Sequence, residues 1–102
     1  IPRAMYTQNG KQRRHLRSLA HPLKPVVQIG LQGVTEAVLE QVDAQLEIHE
    51  LIKVKLGREC PASAKEAGAA MADGPRGEVV QVVGRVVSLY RPREEDPAIR
   101  LP

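Results

Sequence analysis

The segment Lys24–Glu36, KPVVQIGLQGVTE, constrains the fold more than any other part of the chain. It reads as a strand, a Gly-x-x-Gly turn and a helix start in direct succession. Val26, Val27 and Ile29 are β-branched and follow Pro25, as strand residues do. Thr35 suits an N-cap, with Glu36 in the first turn, where the helix dipole favours a negative charge. Val34 and Leu39 have the spacing of a hydrophobic staple. Gly30 and Gly33 lack Cβ atoms, so another backbone or a phosphate can approach the loop closely. Free N–H groups at a helix start favour an anion there. A strained φ is expected at Gly30. The bland reading of the same glycines is a structural turn.

A chain of 102 residues is one domain. It should bury about two-thirds of its unfolded surface, enough for a single core. With no Phe and no Trp, that core must come from Val, Leu, Ile and Ala. The net charge of +3 is modest, but the charges are segregated. Residues 1–33 carry Arg3, Lys11, Arg13, Arg14, Arg17 and Lys24 and no carboxylate, whereas residues 34–52 carry Glu36, Glu40, Asp43, Glu47 and Glu50 and no Lys or Arg. A basic face of this kind suits a polyanion; ordinary solvation is the alternative. Cys60 is the single cysteine, which excludes an intramolecular disulfide and is compatible with a reducing compartment. No apolar run has the length of a membrane span, and no signal segment opens the sequence, so a cytoplasmic protein is expected. Met5 is expected to be the natural start, with Ile1–Ala4 a cloning-derived leader.

The elements follow in order. Residues 1–8 are expected to be disordered. Asn9 and Gln12 have capping-box spacing for a first helix, whose apolar stripe is Leu16, Leu19, Ala20 and Leu23. Lys11, Arg13, Arg14 and Arg17 fall mainly off that stripe. Pro22 and Pro25 end the helix and lead into the first strand. A second helix over 35–49 turns Val38, Leu39, Val42 and Leu46 to the core and Glu36, Glu40, Asp43 and Glu47 to another face. Leu51–Leu56 alternates, so Lys53 and Lys55 should point outward from a half-exposed strand. Pro61 suits the first position of an alanine-rich third helix over 62–72, expected to be the weakest-packed element. Residues 78–83 and 86–91 are strands joined at Gly84-Arg85, which suits a type II′ hairpin. Residues 9–92 form the domain, and the charged, proline-containing residues 93–102 a tail. The order is α-β-α-β-α-β-β, an α/β fold in two layers with helices against a four-stranded mixed sheet.

Catalytic readings are weak. A nucleophile needs a base oriented by a third group. Cys60 has no histidine near it in sequence, and His15, His21 and His49 are scattered. Zinc needs several ligands at short spacing, which are not present, so no metal and no cofactor are expected. The carboxylates of the second helix read as a solvated face, and no Walker-type phosphate loop occurs. With Tyr6 and Tyr90 the only aromatics, a base-stacking platform is also out of reach. Recognition of a nucleic acid would lean on phosphates, hydroxyls and shape.

Several runs together resemble a known family. They are Lys11-Gln12-Arg13-Arg14-His15-Leu16-Arg17, Leu19-Ala20-His21-Pro22-Leu23-Lys24-Pro25-Val26-Val27, Gly30-Leu31-Gln32-Gly33-Val34-Thr35-Glu36, His49-Glu50-Leu51-Ile52-Lys53-Val54-Lys55, and Val80-Gln81-Val82-Val83-Gly84-Arg85 with Leu89-Tyr90-Arg91-Pro92. This combination resembles the CRM domain, the chloroplast RNA splicing and ribosome maturation domain, in its bacterial stand-alone YhbY-like form. The resemblance implies a fold like the C-terminal domain of translation initiation factor three. It implies RNA binding without catalysis, and association with ribosomal RNA of large-subunit precursors. It also implies an RNA surface of Lys11, Arg13, Arg14, Arg17 and Lys24 with the loop Gly30, Leu31, Gln32 and Gly33. Leu31 and Gln32 are uncharged, so the loop would act through backbone donors and shape. A monomer is expected. The competing expectation is a protein-interaction module that docks on a ribosomal protein or assembly factor through the sheet or the acidic helix.

Overall fold

The structure is a computed structural model that describes residues 10–72, 77–93 and 99. The expectations for residues 1–8 lie outside these residues, as does most of the 93–102 tail. The elements are α1 (Gly10–Ala20), β1 (Val27–Ile29), α2 (Glu36–His49), β2 (Leu51–Leu56), α3 (Ala64–Met71), β3 (Glu78–Val83) and β4 (Val86–Tyr90). They form an α/β fold with a four-stranded mixed sheet in the order β1-β2-β4-β3. β1 runs parallel to β2, and their connection is α2, the crossover a parallel pair requires. β4 lies antiparallel between β2 and β3. Gly84, at φ 58°, opens the β3–β4 turn, and Arg85 is not at positive φ, which is the II′ pattern.

One face of the sheet carries the main core. Val27, Ile29, Ile52, Val54, Leu56, Val87 and Leu89 pack there with Val42 and Leu46 of α2 and Ala64, Ala67 and Met71 of α3. Thr35 caps α2 by accepting from the Val38 N–H at 3.2 Å. The helices do not all lie on this side. Leu16 and Ala20 of α1 are buried against Leu51, Val80 and Tyr90 on the opposite face, so α1 adds a partial third layer to the expected two. The division explains why Leu51 is buried although it shares its strand parity with Lys53 and Lys55. A bulge at Val79/Gln81 in the edge strand β3 serves the same arrangement. It lets Val80 reach α1 while Gln81 keeps its cross-strand partner Ser88. The expected α1 stripe shortens: Leu19 and Leu23 are 36% and 38% exposed. The helix stops at Ala20, where Leu23 N–H bonds back to the Ala20 carbonyl, so Leu23 leaves the helical register.

α3 departs from its expected form. It starts at Ala64 behind a capping box, in which Ser63 accepts from the Glu66 N–H at 3.1 Å and Glu66 Oε1 accepts from the Ser63 N–H at 3.0 Å. The Ser63 N–H foremost, and the Ser63 hydroxyl after it, hold the Glu66 carboxyl below its usual pKa. Its small residues bring the helix close to the sheet: a Cβ on Gly68 would sit 3.3 Å from methyls of both Val79 and Val87. The alanines therefore set a short helix–sheet separation instead of marking weak packing.

The end of α2 is locked by a buried carboxylate. Glu50 is the C-cap at φ 66°, its N–H donates to the Leu46 carbonyl, and it is 0% exposed. Its carboxylate accepts from the N–H groups of Arg93 at 2.8 Å and Ile99 at 2.9 Å, so described residues of the expected tail fold back onto the domain. Arg91 ties the same corner down through Asp43, at 3.2 Å, and Glu47, at 3.6 Å. Burial pushes the Tyr90 hydroxyl from 10.0 up to about 12, with the charges of Glu50 and Glu78 adding to the effect. The sign follows from proton linkage. The folded state keeps a proton that the unfolded chain releases near pH 10, so this stabilisation is complete below pH 10 and is lost as pH rises towards 12. On a Tyr6→Phe background, tyrosinate absorbance should appear late, and the folded-to-unfolded ratio should fall by up to about tenfold per pH unit in that window. Titration of Tyr90 at an ordinary phenol pKa would contradict this.

Candidate nucleic-acid interface

α1 covers only one end of its sheet face. Beyond it lie two cross-strand rows: Lys53, Ser88 and Gln81 in one, with Ser88 only 4% exposed between its neighbours, and Gln28, Lys55, Val86 and Val83 in the next. Lys55 and Gln28 are exposed and Lys53 is half-buried. The C-terminal turn of α1 and the segment after it overhang the first row. Arg17, His21 and Leu23 there form one wall of a groove of about 340 Å³, whose other side includes Lys53. Lys53 Nζ donates to the His21 carbonyl at 3.2 Å, which fixes the two sides together.

The sequence-predicted cations separate on the helix. Arg17 lines the groove, and Arg13, one turn earlier, is half-buried on the same side. Lys11 and Arg14 lie on the side of α1 away from the buried pair Leu16 and Ala20, and are exposed. Lys24 is exposed in the connection between α1 and β1. Lys53 and Lys55 complete the cationic surface. Sequence reasoning placed both outward but did not join them to Arg17; the alternation of β2 was the available signal. Among the described residues, none of these seven cations pairs with a carboxylate.

The loop leaves the far end of β1. Gly33 N–H bonds to the Gly30 carbonyl at 3.0 Å, closing a turn with Leu31 and Gln32 at its tip. Leu31 is 69% exposed. The strain falls on the second glycine, not the first. Gly33 is at φ 73°, whereas Gly30 is not in the left-handed region and a Cβ there would meet nothing within 4 Å. The loop begins at Gly30, four residues beyond Val26, whose N–H bonds the Lys53 carbonyl, so groove and loop are separated by about 13 Å along β1. The first N–H groups of α2, those of Glu36 and Ala37, have no intrahelical acceptor. The acidic residues of α2 belong to the opposite side of the sheet, and two of them, Asp43 and Glu47, are engaged by Arg91.

The described residues hold no group of three or more His, Cys, Asp or Glu side chains placed to bind a metal ion. Cys60 is buried in the main core. No helix among them is long and apolar enough to cross a membrane.

Three helices on a four-stranded mixed sheet, with Arg17, Lys53 and Lys55 on one side and the carboxylates of α2 on the other, define a small α/β domain with a polarised surface. The chain belongs to the CRS1/YhbY (CRM) domain family, whose model matches residues 9–91. It is 39% identical over 93 residues to Probable RNA-binding protein YqeI of Bacillus subtilis, covering 91% of this chain and 97% of that one. A Haemophilus influenzae protein named RNA-binding protein is 40% identical over 98 residues, covering 96% of this chain and 98% of its own. Among solved structures, the hypothetical protein SAV1595 of Staphylococcus aureus matches with a TM-score of 0.78 at 41% identity, over 94% of this chain and all of that one.

Proposed function

We propose that this protein binds ribosomal RNA in large-subunit precursors during ribosome assembly, as a cytoplasmic, non-catalytic monomer. The observation that carries the RNA reading is the meeting of Arg17 and Lys53 at one groove, with Lys55 on the next row of the same sheet face, none of them with a described carboxylate partner. Family membership and relatives named as RNA-binding proteins support it. The ribosomal target rests on the resemblance to the ribosome-maturation form of the domain. In this reading the cations neutralise phosphates, and the Gly30–Gly33 loop holds RNA backbone against the start of α2. The loop attracts through the N–H groups of Leu31 and Gln32 and the positive helix end, because Gly33 N–H is already used in the turn.

The test is the Leu31→Asp, Gln32→Asp variant. Both side chains are exposed, so the melting temperature should hold. Affinity for structured RNA should fall tenfold or more, which is about 1.4 kcal/mol. Gly30→Ala serves as a companion that folds normally, whereas Gly33→Ala should cost about 1 to 2 kcal/mol of stability because its φ is left-handed. Unchanged RNA affinity in the folded double-Asp protein would reduce the glycine pair to a chain turn.

A further inference from the structure

The groove beside α1 has features that backbone binding alone does not need. Its walls are apolar where Leu23, Pro25, Val83 and Val86 line it. Its floor carries the cross-strand pair Gln81 and Ser88, an amide and a hydroxyl. Neither side chain hydrogen-bonds another described residue. Arg17 and Lys53 stand at its edge, and neither pairs with a described carboxylate. The volume of about 340 Å³ lies at the small end of ligand-site sizes.

We infer that this groove takes one unpaired RNA nucleotide, its base between the apolar walls and against Gln81 and Ser88, its phosphate on Arg17 and Lys53. The inference rests on the RNA reading above and adds to it a preference for RNA with a bulged or looped-out residue. Sequence-specific RNA recognition works on such splayed bases, because A-form grooves hide base edges. Aromatic stacking partners are missing, so Leu23, Pro25 and the two valines supply the apolar contact instead. Gln81 has both a donor and acceptor to offer a base edge, which a solvated strand residue at that position would not require. A free protein partner fits less well, since the apolar strip is narrow and flanked by cations.

The experiment compares a fully paired RNA duplex with four otherwise identical duplexes carrying a single bulged A, C, G or U. The protein should bind at least one bulged duplex about tenfold or more tightly than the paired one. Gln81→Ala should bring that ratio towards one while leaving affinity for the paired duplex within about twofold. Val83→Glu, which places a carboxylate in the groove wall, should also bring the ratio towards one, with a further loss of affinity common to all five duplexes, and a melting curve for each variant establishes that it is folded. Equal affinity of the wild-type protein for all five duplexes would overturn the groove inference while leaving general RNA binding intact. A preference that survives both folded variants would equally overturn it. Failure of the wild-type protein to bind any of the five at low salt would overturn the RNA reading and the groove with it.

Discussion

The Arg17→Glu, Lys53→Glu variant is expected to bind structured RNA about a hundredfold or more weakly than the wild-type protein. Arg17 from α1 and Lys53 from β2 meet at the same groove, although the sequence separates them widely. A hydrogen bond to a charged group contributes about 1.5 to 3 kcal/mol, so removing two of them together costs about 3 kcal/mol or more, over a hundredfold in affinity. Reversal, not removal, adds repulsion of the phosphates. Folding should survive, because Arg17 is exposed and the one hydrogen bond of Lys53 to the His21 carbonyl lies at the surface. Lys11→Glu with Arg14→Glu makes the matched control. Those cations are on the outer side of α1, and charge effects there are screened over about 8 Å at physiological salt, so the loss should be much smaller. Equal losses in the two variants would mean that only net charge matters and the sheet face has no special part.

The second large effect falls on stability. Glu50→Ala should destabilise the fold by about 3 kcal/mol or more, measured by chemical denaturation. Its carboxylate is completely buried and accepts from two backbone N–H groups, Arg93 and Ile99. Each bond to a charged acceptor contributes about 1.5 to 3 kcal/mol, and alanine leaves both donors orphaned. Alanine also does nothing for the left-handed backbone at φ 66°. Glu50→Gln should fall between, since an amide offers one oxygen and turns N–H groups towards the other donor. A loss under about 1 kcal/mol for Glu50→Ala would show that the latch at the end of α2 is dispensable.

Much of this architecture is legible in the sequence because its signals are local. The β-branched run after Pro25, Thr35 as a cap, the period of Val38, Leu39, Val42 and Leu46, and Gly84 in the hairpin all act within a few residues. The misread features are decided by packing between distant segments. Leu19 looks equivalent to Leu16 on a helical wheel, but only one flank of α1 meets Leu51, Val80 and Tyr90. The alanines of α3 look like a weak core until Gly68 is seen at van der Waals range of Val79 and Val87. Ser63 and Glu66 did carry a local signature, and Pro61 obscured it as a rival helix start. Glu50 reads as one more carboxylate of an acidic helix, and nothing nearby in sequence indicates that Arg93 and Ile99 return to it. The candidate site divides in the same way. Arg13, Arg17 and the glycine loop stand out as sequence runs, whereas the joining of Arg17 to Lys53 depends on α1 crossing to the face opposite α2.

That opposition of faces is the central claim, and the salt dependence of RNA binding tests it most directly. Log affinity against log salt should fall with a slope of about 0.7 to 0.9 per phosphate neutralised. Three proteins suffice: wild type, Arg17→Glu with Lys53→Glu, and Glu40→Gln, which lies a turn beyond the start of α2 and leaves alone Asp43 and its ion pair to Arg91. The wild-type protein should show a steep slope. The basic-face variant should show one shallower by about 1.4 to 1.8, for two phosphates no longer neutralised. The acidic-helix variant should keep the wild-type slope, with affinity equal or slightly raised. A flat wild-type slope, or a slope altered by the α2 substitution and not by those at Arg17 and Lys53, would contradict the account.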